Sequence, residues 1–151
     1  MIDFNKITAE LEFVGSSVHN VEIKSEMVRI TNKTKRSFGL DIRCSRPLEK
    51  DNQKYGKLLM QVEVLLFNED EEQEPDSFKI IIEGVFKASN ELTDEKFMEL
   101  LNINGGAALF SVVRSKLEVL SSLTYSEGKI VLPMINIIQY FAERSTNENN
   151  E

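Results

Sequence analysis

The chain has 151 residues, 41% of them hydrophobic and 28% charged, and a formal net charge of −7. That length suits one domain with a sizeable core, and no apolar run is long enough for a membrane-spanning helix. The charge argues against a nucleic-acid partner, which needs clustered cations, and the single cysteine, Cys44, excludes an internal disulfide framework.

The opening MIDFNKITAE has no basic stretch followed by an apolar run, so no signal peptide is expected and the cytoplasm is the expected compartment. Residues 1–9 are weakly patterned and read as a loose arm. From Glu10 to Lys24 the alternation is imperfect, with Leu11, Phe13, Val18, Val21 and Ile23 apolar. Gly15-Ser16-Ser17 interrupts it, which predicts a bent or broken edge strand. Met27–Thr31 extends this region or forms a short linker strand, and the cations Lys33, Lys35 and Arg36 mark a solvated turn.

Three clearer strands follow. Phe38, Leu40, Ile42 and Cys44 alternate with Gly39, Asp41 and Arg43, the period of a half-buried strand, which Pro47 then stops. Leu58–Phe67 and Phe78–Lys87 alternate in the same way. Short polar connections between these runs predict an antiparallel sheet with one face more solvated. The connector Asn68–Asp76 holds six acids and a proline, and reads as an exposed loop.

Thr93 followed by Asp94 and Glu95 predicts an N-cap with acids in the first turn. The short helix begun there should end near Leu101, at a turn formed by Asn104-Gly105-Gly106. The next helix spreads Leu109, Phe110, Val112, Val113, Leu117, Val119, Leu120 and Leu123 over about half its circumference, whereas packing on a sheet needs an arc of only about 100°. Lys116 falls inside the arc, where its stem can pack and its ammonium snorkel. The surplus width calls for a second helix of the same chain, another subunit or a bound polypeptide. After a polar turn, Lys129–Pro133 runs extended and Met134–Ala142 forms a second helix, apolar almost all round. Residues 1–144 read as one domain, and residues 145–151 as a polar disordered tail.

Little here supports catalysis. The one His and the one Cys, His19 and Cys44, could pair as base and nucleophile across the sequence, but no nearby Asn or Asp signature supports such a pair. One Cys and one His cannot form a metal set, and the acidic run lacks the ligand spacing of a calcium loop. Asn104-Gly105-Gly106 has neither the glycine spacing nor the Lys-Ser/Thr pair of a phosphate cradle. A non-enzyme without cofactor is expected, with exposed apolar surface as its working part.

The stretch Leu100–Phe141 carries Ile103-Asn104-Gly105, Ala107, Ala108, Leu109-Phe110, Arg114, Leu132-Pro133, Ile135-Asn136 and Tyr140 in an order and spacing that resembles the SecB family of bacterial export chaperones. Two segments depart from that pattern: Phe110-Ser111-Val112 stands where the family has "FPY", and Leu132-Pro133-Met134-Ile135-Asn136-Ile137 where it has "LPPINF". The resemblance implies an α+β fold, a four-stranded antiparallel sheet with a long helix and a short C-terminal helix packed on one face. It implies a holdase that works without ATP and binds unfolded or precursor proteins, and a homotetramer built as a dimer of dimers. At matching positions the client groove would be Leu123, Tyr125, Ile130, Leu132, Met134, Ile135 and Ile138. The subunit interface would be Leu109, Val112, Val113, Lys116 and Leu120. An acidic surface of Glu63, Glu69, Asp70, Glu71, Glu72 and Glu83 would dock SecA, the translocase ATPase. Service to one dedicated partner, such as an antitoxin, is the alternative that the resemblance leaves open.

Overall fold

The computed structural model describes residues 10–68 and 73–148. Four long strands, β1 (Glu12–Lys24), β2 (Lys35–Cys44), β4 (Gln53–Phe67) and β5 (Asp76–Ser89), make an antiparallel sheet in the order β1-β5-β4-β2. A three-residue strand, β3 (Leu48–Lys50), pairs with the start of β4. Three helices follow, α1 (Asp94–Leu100), α2 (Gly106–Thr124) and α3 (Ile137–Glu148). The expected α+β class, with a long helix and a short C-terminal one on the sheet, is the class observed.

Period-2 alternation sorts β4 and β5 into two faces. Leu58, Met60, Val62, Val64 and Leu66 of β4 and Phe78, Ile80, Ile82 and Phe86 of β5 are buried under the helices. Phe97, Leu101, Leu109, Val113 and Leu117 close over them from the helical side. Glycine makes the closest approach possible: a Cβ on Gly56 would sit 2.6 Å from the Phe97 ring. Thr93 caps α1 as expected, its hydroxyl accepting from Lys96 N at 3.2 Å. Lys54, buried on the helix side of β4, donates from Nζ to Leu92 O at 2.7 Å and to Asp94 Oδ1, and so pins the start of α1.

Three local expectations change, and one is decided between its alternatives. Pro47 does not end the sheet, because Asp51 and Asn52 take left-handed φ values of 52° and 58° and close a tight β3–β4 hairpin. Of the two outcomes expected at Gly15-Ser16-Ser17, the edge strand β1 takes the bent one: it runs through unbroken, with register shifts between Phe13 and Gly15 and between Val18 and Asn20. Asn104-Gly105-Gly106 is not a turn. The backbone stays right-handed helical through a π-helical segment, Leu101–Gly105, so that α1 and α2 are continuous. Gly105 lies against Leu101 and Phe86, and Gly106 against Ile137, so these glycines serve close packing and not a reversal. Finally, α3 passes Arg144, where the disordered tail was expected to begin, and runs to Glu148. Ser145 and Thr146 turn their hydroxyls back onto Phe141 O and Ala142 O at 2.9 and 3.0 Å, satisfying polar groups inside the helix. Residues 149–151 lie outside the described residues.

Candidate binding groove

The helical layer does not cover the whole sheet. α2 lies over β4 and β5, leaving the helix-side face of β1 open. Phe13, Val18, Val21 and Ile23 point to that side, each 39% exposed. Between β1 and α2 runs an open groove of about 430 Å³ lined by Val18, Val21, Ile80, Ser115, Lys116, Val119 and Leu120. Ile80 is its buried floor; Val18 and Val21 form one wall, and Val119 and Leu120 the other. Lys116 is the one charged residue of the lining. Phe13, packed on Phe86 with ring centroids 5.0 Å apart, continues the apolar stripe along β1, and Leu123, 79% exposed, continues it along α2.

The half-circumference arc of α2 explains this arrangement. Leu109, Phe110, Val113 and Leu117 go into the core, Val112 and Leu120 are half-buried, and Val119 and Leu123 face solvent beside β1. Ser115 and Lys116 are the polar residues of the lining, and the rest of it is apolar. Such a cleft offers apolar burial, at roughly 1.5–3 kcal/mol for each large side chain withdrawn from water.

The residues assigned to a groove by resemblance do not form one surface. Tyr125, Ile130 and Leu132 are buried in the core, Ile135 is half-buried, and Leu123, Met134 and Ile138 are exposed. The cause is the loop after α2, which is tied down twice. Ser126 N donates to Val28 O at 2.9 Å and Ile30 N to Glu127 O at 3.0 Å, fastening it to the linker that follows β1. Gly128 sits at φ +80° with Ile30 O so close that a Cβ would lie 2.5 Å from it. Beneath them Tyr125 stacks near Phe78 and donates to the buried Asp76 Oδ2 at 2.8 Å; burial, with Asp76 beside it, pushes this phenol above its ordinary range.

Of the five residues expected between subunits, Leu109 and Val113 are fully buried against the chain's own sheet, which removes them from any outer contact. Val112, Lys116 and Leu120 stay partly exposed, and the last two line the groove. Glu63 and Glu83 lie on the sheet face away from the helices, but not as an acidic patch. Glu63 stands opposite Lys79 in the β4–β5 ladder, and Glu83 accepts from Lys57 Nζ at 3.0 Å. Glu69, Asp70, Glu71 and Glu72 lie outside the described residues.

His19 and Cys44 sit on the two outer strands, at opposite edges of the sheet, so the topology keeps them apart. Cys44 Sγ donates to Asn102 Oδ1 at 2.7 Å, and burial pushes its thiol up to about 11, against a smaller opposing pull from the Arg144 charge. At pH 8 the thiolate fraction is therefore on the order of a thousandth. Alkylation by iodoacetamide should be slow at pH 8 and accelerate as pH rises toward 11; fast labelling at pH 8, read by mass spectrometry, would contradict this placement. Among the described residues no group of three or more His, Cys, Asp or Glu could hold a metal ion, and no helix is long and apolar enough to cross a membrane.

Val18, Val21, Ile80, Ser115 and Val119 are the groove residues that the resemblance does not point to. The width of the apolar arc on α2 does point to Val119.

No family model and no curated protein matches the chain. Solved structures similar to it include the SecB-like chaperone Rv1957 of Mycobacterium tuberculosis, in complex with a ChAD peptide from the Rv1956 HigA1 antitoxin. That likeness has a TM-score of 0.56 at 10% identity, over 84% of this chain and 91% of that one. A protein of unknown function from Streptococcus agalactiae is similar at a TM-score of 0.44 and 9% identity, over 83% of this chain and 98% of that one. The chain therefore has a SecB-like fold.

Proposed function

We propose that this chain is a nucleotide-independent chaperone that holds non-native polypeptide segments in the groove between β1 and α2. The observation that carries the reading is the groove itself: apolar on both walls and floor, open along its length, with one charged residue. An extended apolar segment gains by burying its side chains there, and a lining with few hydrogen-bonding groups tolerates varied sequences. The SecB-like neighbour, itself bound to a peptide, supports a polypeptide as the ligand class. Because that peptide comes from an antitoxin, a chaperone dedicated to one partner is the second reading.

The proposal includes assembly into a homotetramer, with a second copy covering apolar surface outside the groove lining, such as the exposed Leu123 and Phe13. Delivery to SecA, and with it general export, also belongs to the proposal; of the acids it calls on, Glu63 and Glu83 are interleaved with lysines. The test is aggregation of chemically denatured citrate synthase, followed by light scattering without nucleotide, alongside the solution mass of the protein. Suppression at stoichiometric chaperone and a mass near four chains are expected. A monomer that leaves aggregation unchanged sinks the reading. Tight binding to one natural client with indifference to citrate synthase selects the dedicated role.

A further inference from the structure

The two edges of the sheet are treated differently. β1 carries two register shifts, which kink a strand and spoil it as a template for pairing. β2 pairs with β4 in unbroken register over its ten residues, from Lys35 opposite Phe67 to Cys44 opposite Leu58, and so presents a regular outer edge. Among the described residues, α3 covers that edge at Ile42. Ile42 N donates to Tyr140 Oη at 3.0 Å, and Arg144 Nη1 donates to Ile42 O and approaches Asp41 Oδ1 at 3.4 Å.

Both backbone groups of Ile42 thus turn away from β4, as they must at a non-hydrogen-bonded pair, while Ser45 N bonds Lys57 O on the inner side. The tyrosine oxygen and the guanidinium stand where the acceptor and donor of a further strand would stand. We propose that α3 is a displaceable strap on the outer edge of β2, and that its release lets an extended polypeptide segment pair with β2 as an added strand. The ligand class rests on the polypeptide-holding reading above; the geometry rests on α3 alone.

The way α3 is held suits this role. Twelve residues make a helix that is marginal in water by itself, so its order depends on docking. Its first turn is anchored, with Ile137 buried against Gly106 and Asn136 Oδ1 accepting from Gln139 N at 3.1 Å. Within that turn Ile138 already faces solvent, and Tyr140 and Phe141, which follow, are only half-buried. The helix can pivot at its anchored end and free the edge. An incoming strand would find Phe38, itself 41% exposed, and Leu40 on the helix side of β2, ready to pack its own apolar side chains.

The test uses a Tyr140→Phe, Arg144→Gln double variant, which removes the two edge contacts and keeps the aromatic ring. Hydrogen exchange at the Ile42 amide should accelerate about tenfold or more while inner β4 and β5 amides stay protected. Binding of fluorescein-labelled, reduced and carboxymethylated α-lactalbumin should tighten by about the same factor, as the competent population rises. The gain should persist in a Val18→Asp, Val119→Asp background that disables the β1–α2 groove. Unchanged Ile42 exchange overturns the proposal, and so does faster exchange without tighter binding. If the double variant unfolds as a whole, Tyr140→Phe alone decides by the same two measurements. Failure of the groove reading looks different: there the two aspartates leave lactalbumin binding by the otherwise native chain unchanged.

Discussion

Asp76→Ala should lower the stability of the fold by about 3–5 kcal/mol, seen as a drop in the urea midpoint at constant slope. The Asp76 side chain is buried at the first residue of β5, and its carboxylate accepts from Ser25 Oγ at 2.9 Å, Glu26 N at 2.9 Å, Met27 N at 3.3 Å and Tyr125 Oη at 2.8 Å. Three donors come from the linker after β1 and one from the residue that caps α2, so a single group holds two distant segments to the sheet. Alanine leaves all four without an acceptor, at about 1–3 kcal/mol for each donor that stays dry. Water reaches the exposed linker donors, which keeps the total below the sum. Asp76→Asn, with one oxygen left to accept, should lose only about 1–2 kcal/mol, and Tyr125→Phe about 1 kcal/mol. A loss below about 1 kcal/mol for the alanine variant would show that apolar packing, and not this carboxylate, fastens the linker. The variant should also deprotect the Ile30 amide, which donates to Glu127 O across the same junction.

How much of this was legible in the sequence depended on how many residues carried each signal. β4 and β5 alternate over long runs, and both faces of each could be read, because burial on the helix side is complete while Leu59, Leu65, Ile81 and Val85 on the other side are only half-covered. β3 is three residues long, too short for periodicity, and its turn is made by Asp51-Asn52 without the glycine that marks most such hairpins. Gly105-Gly106 was read as a turn because glycine answers two different demands, freedom of φ and absence of a Cβ, and sequence does not say which applies. Asp76 looked like one more acid of a charged loop; only the fold brings Ser25 and Tyr125 to it.

The groove illustrates a different limit. The width of the α2 arc identified apolar residues that the chain's own sheet could not cover, and Val119 and Leu123 are indeed exposed beside β1. The opposite wall depends on the strand order, which puts β1 next to β5 and beyond the reach of α2, a long-range fact that no local pattern encodes. Residues carried over by resemblance, Tyr125, Ile130 and Leu132, are apolar for the ordinary reason that they fill the core.

Placing a carboxylate on each wall of the groove, as Val18→Asp with Val119→Asp, should weaken binding of denatured clients by roughly a hundredfold or more. Val18 and Val119 are 39% and 58% exposed, so stability should change by less than about 1 kcal/mol. The bound state suffers twice, through loss of apolar burial on both walls and through carboxylates pressed against an apolar segment. Lys116, three residues before Val119 on α2, can pair with the nearer aspartate, and for that reason one substitution should do less than two. The matching control is Met134→Asp with Ile138→Asp, at exposed residues outside the groove lining; it should leave binding within about twofold, since only rim contacts are touched. Solution mass separates the two possible occupants of the walls. Lost binding at unchanged mass places the client between β1 and α2, whereas lost binding together with a fall in mass means that a second copy of the chain covers that surface. Should the Met134 and Ile138 pair abolish binding while the groove pair does not, the working surface lies instead at α3 and the segment leading into it.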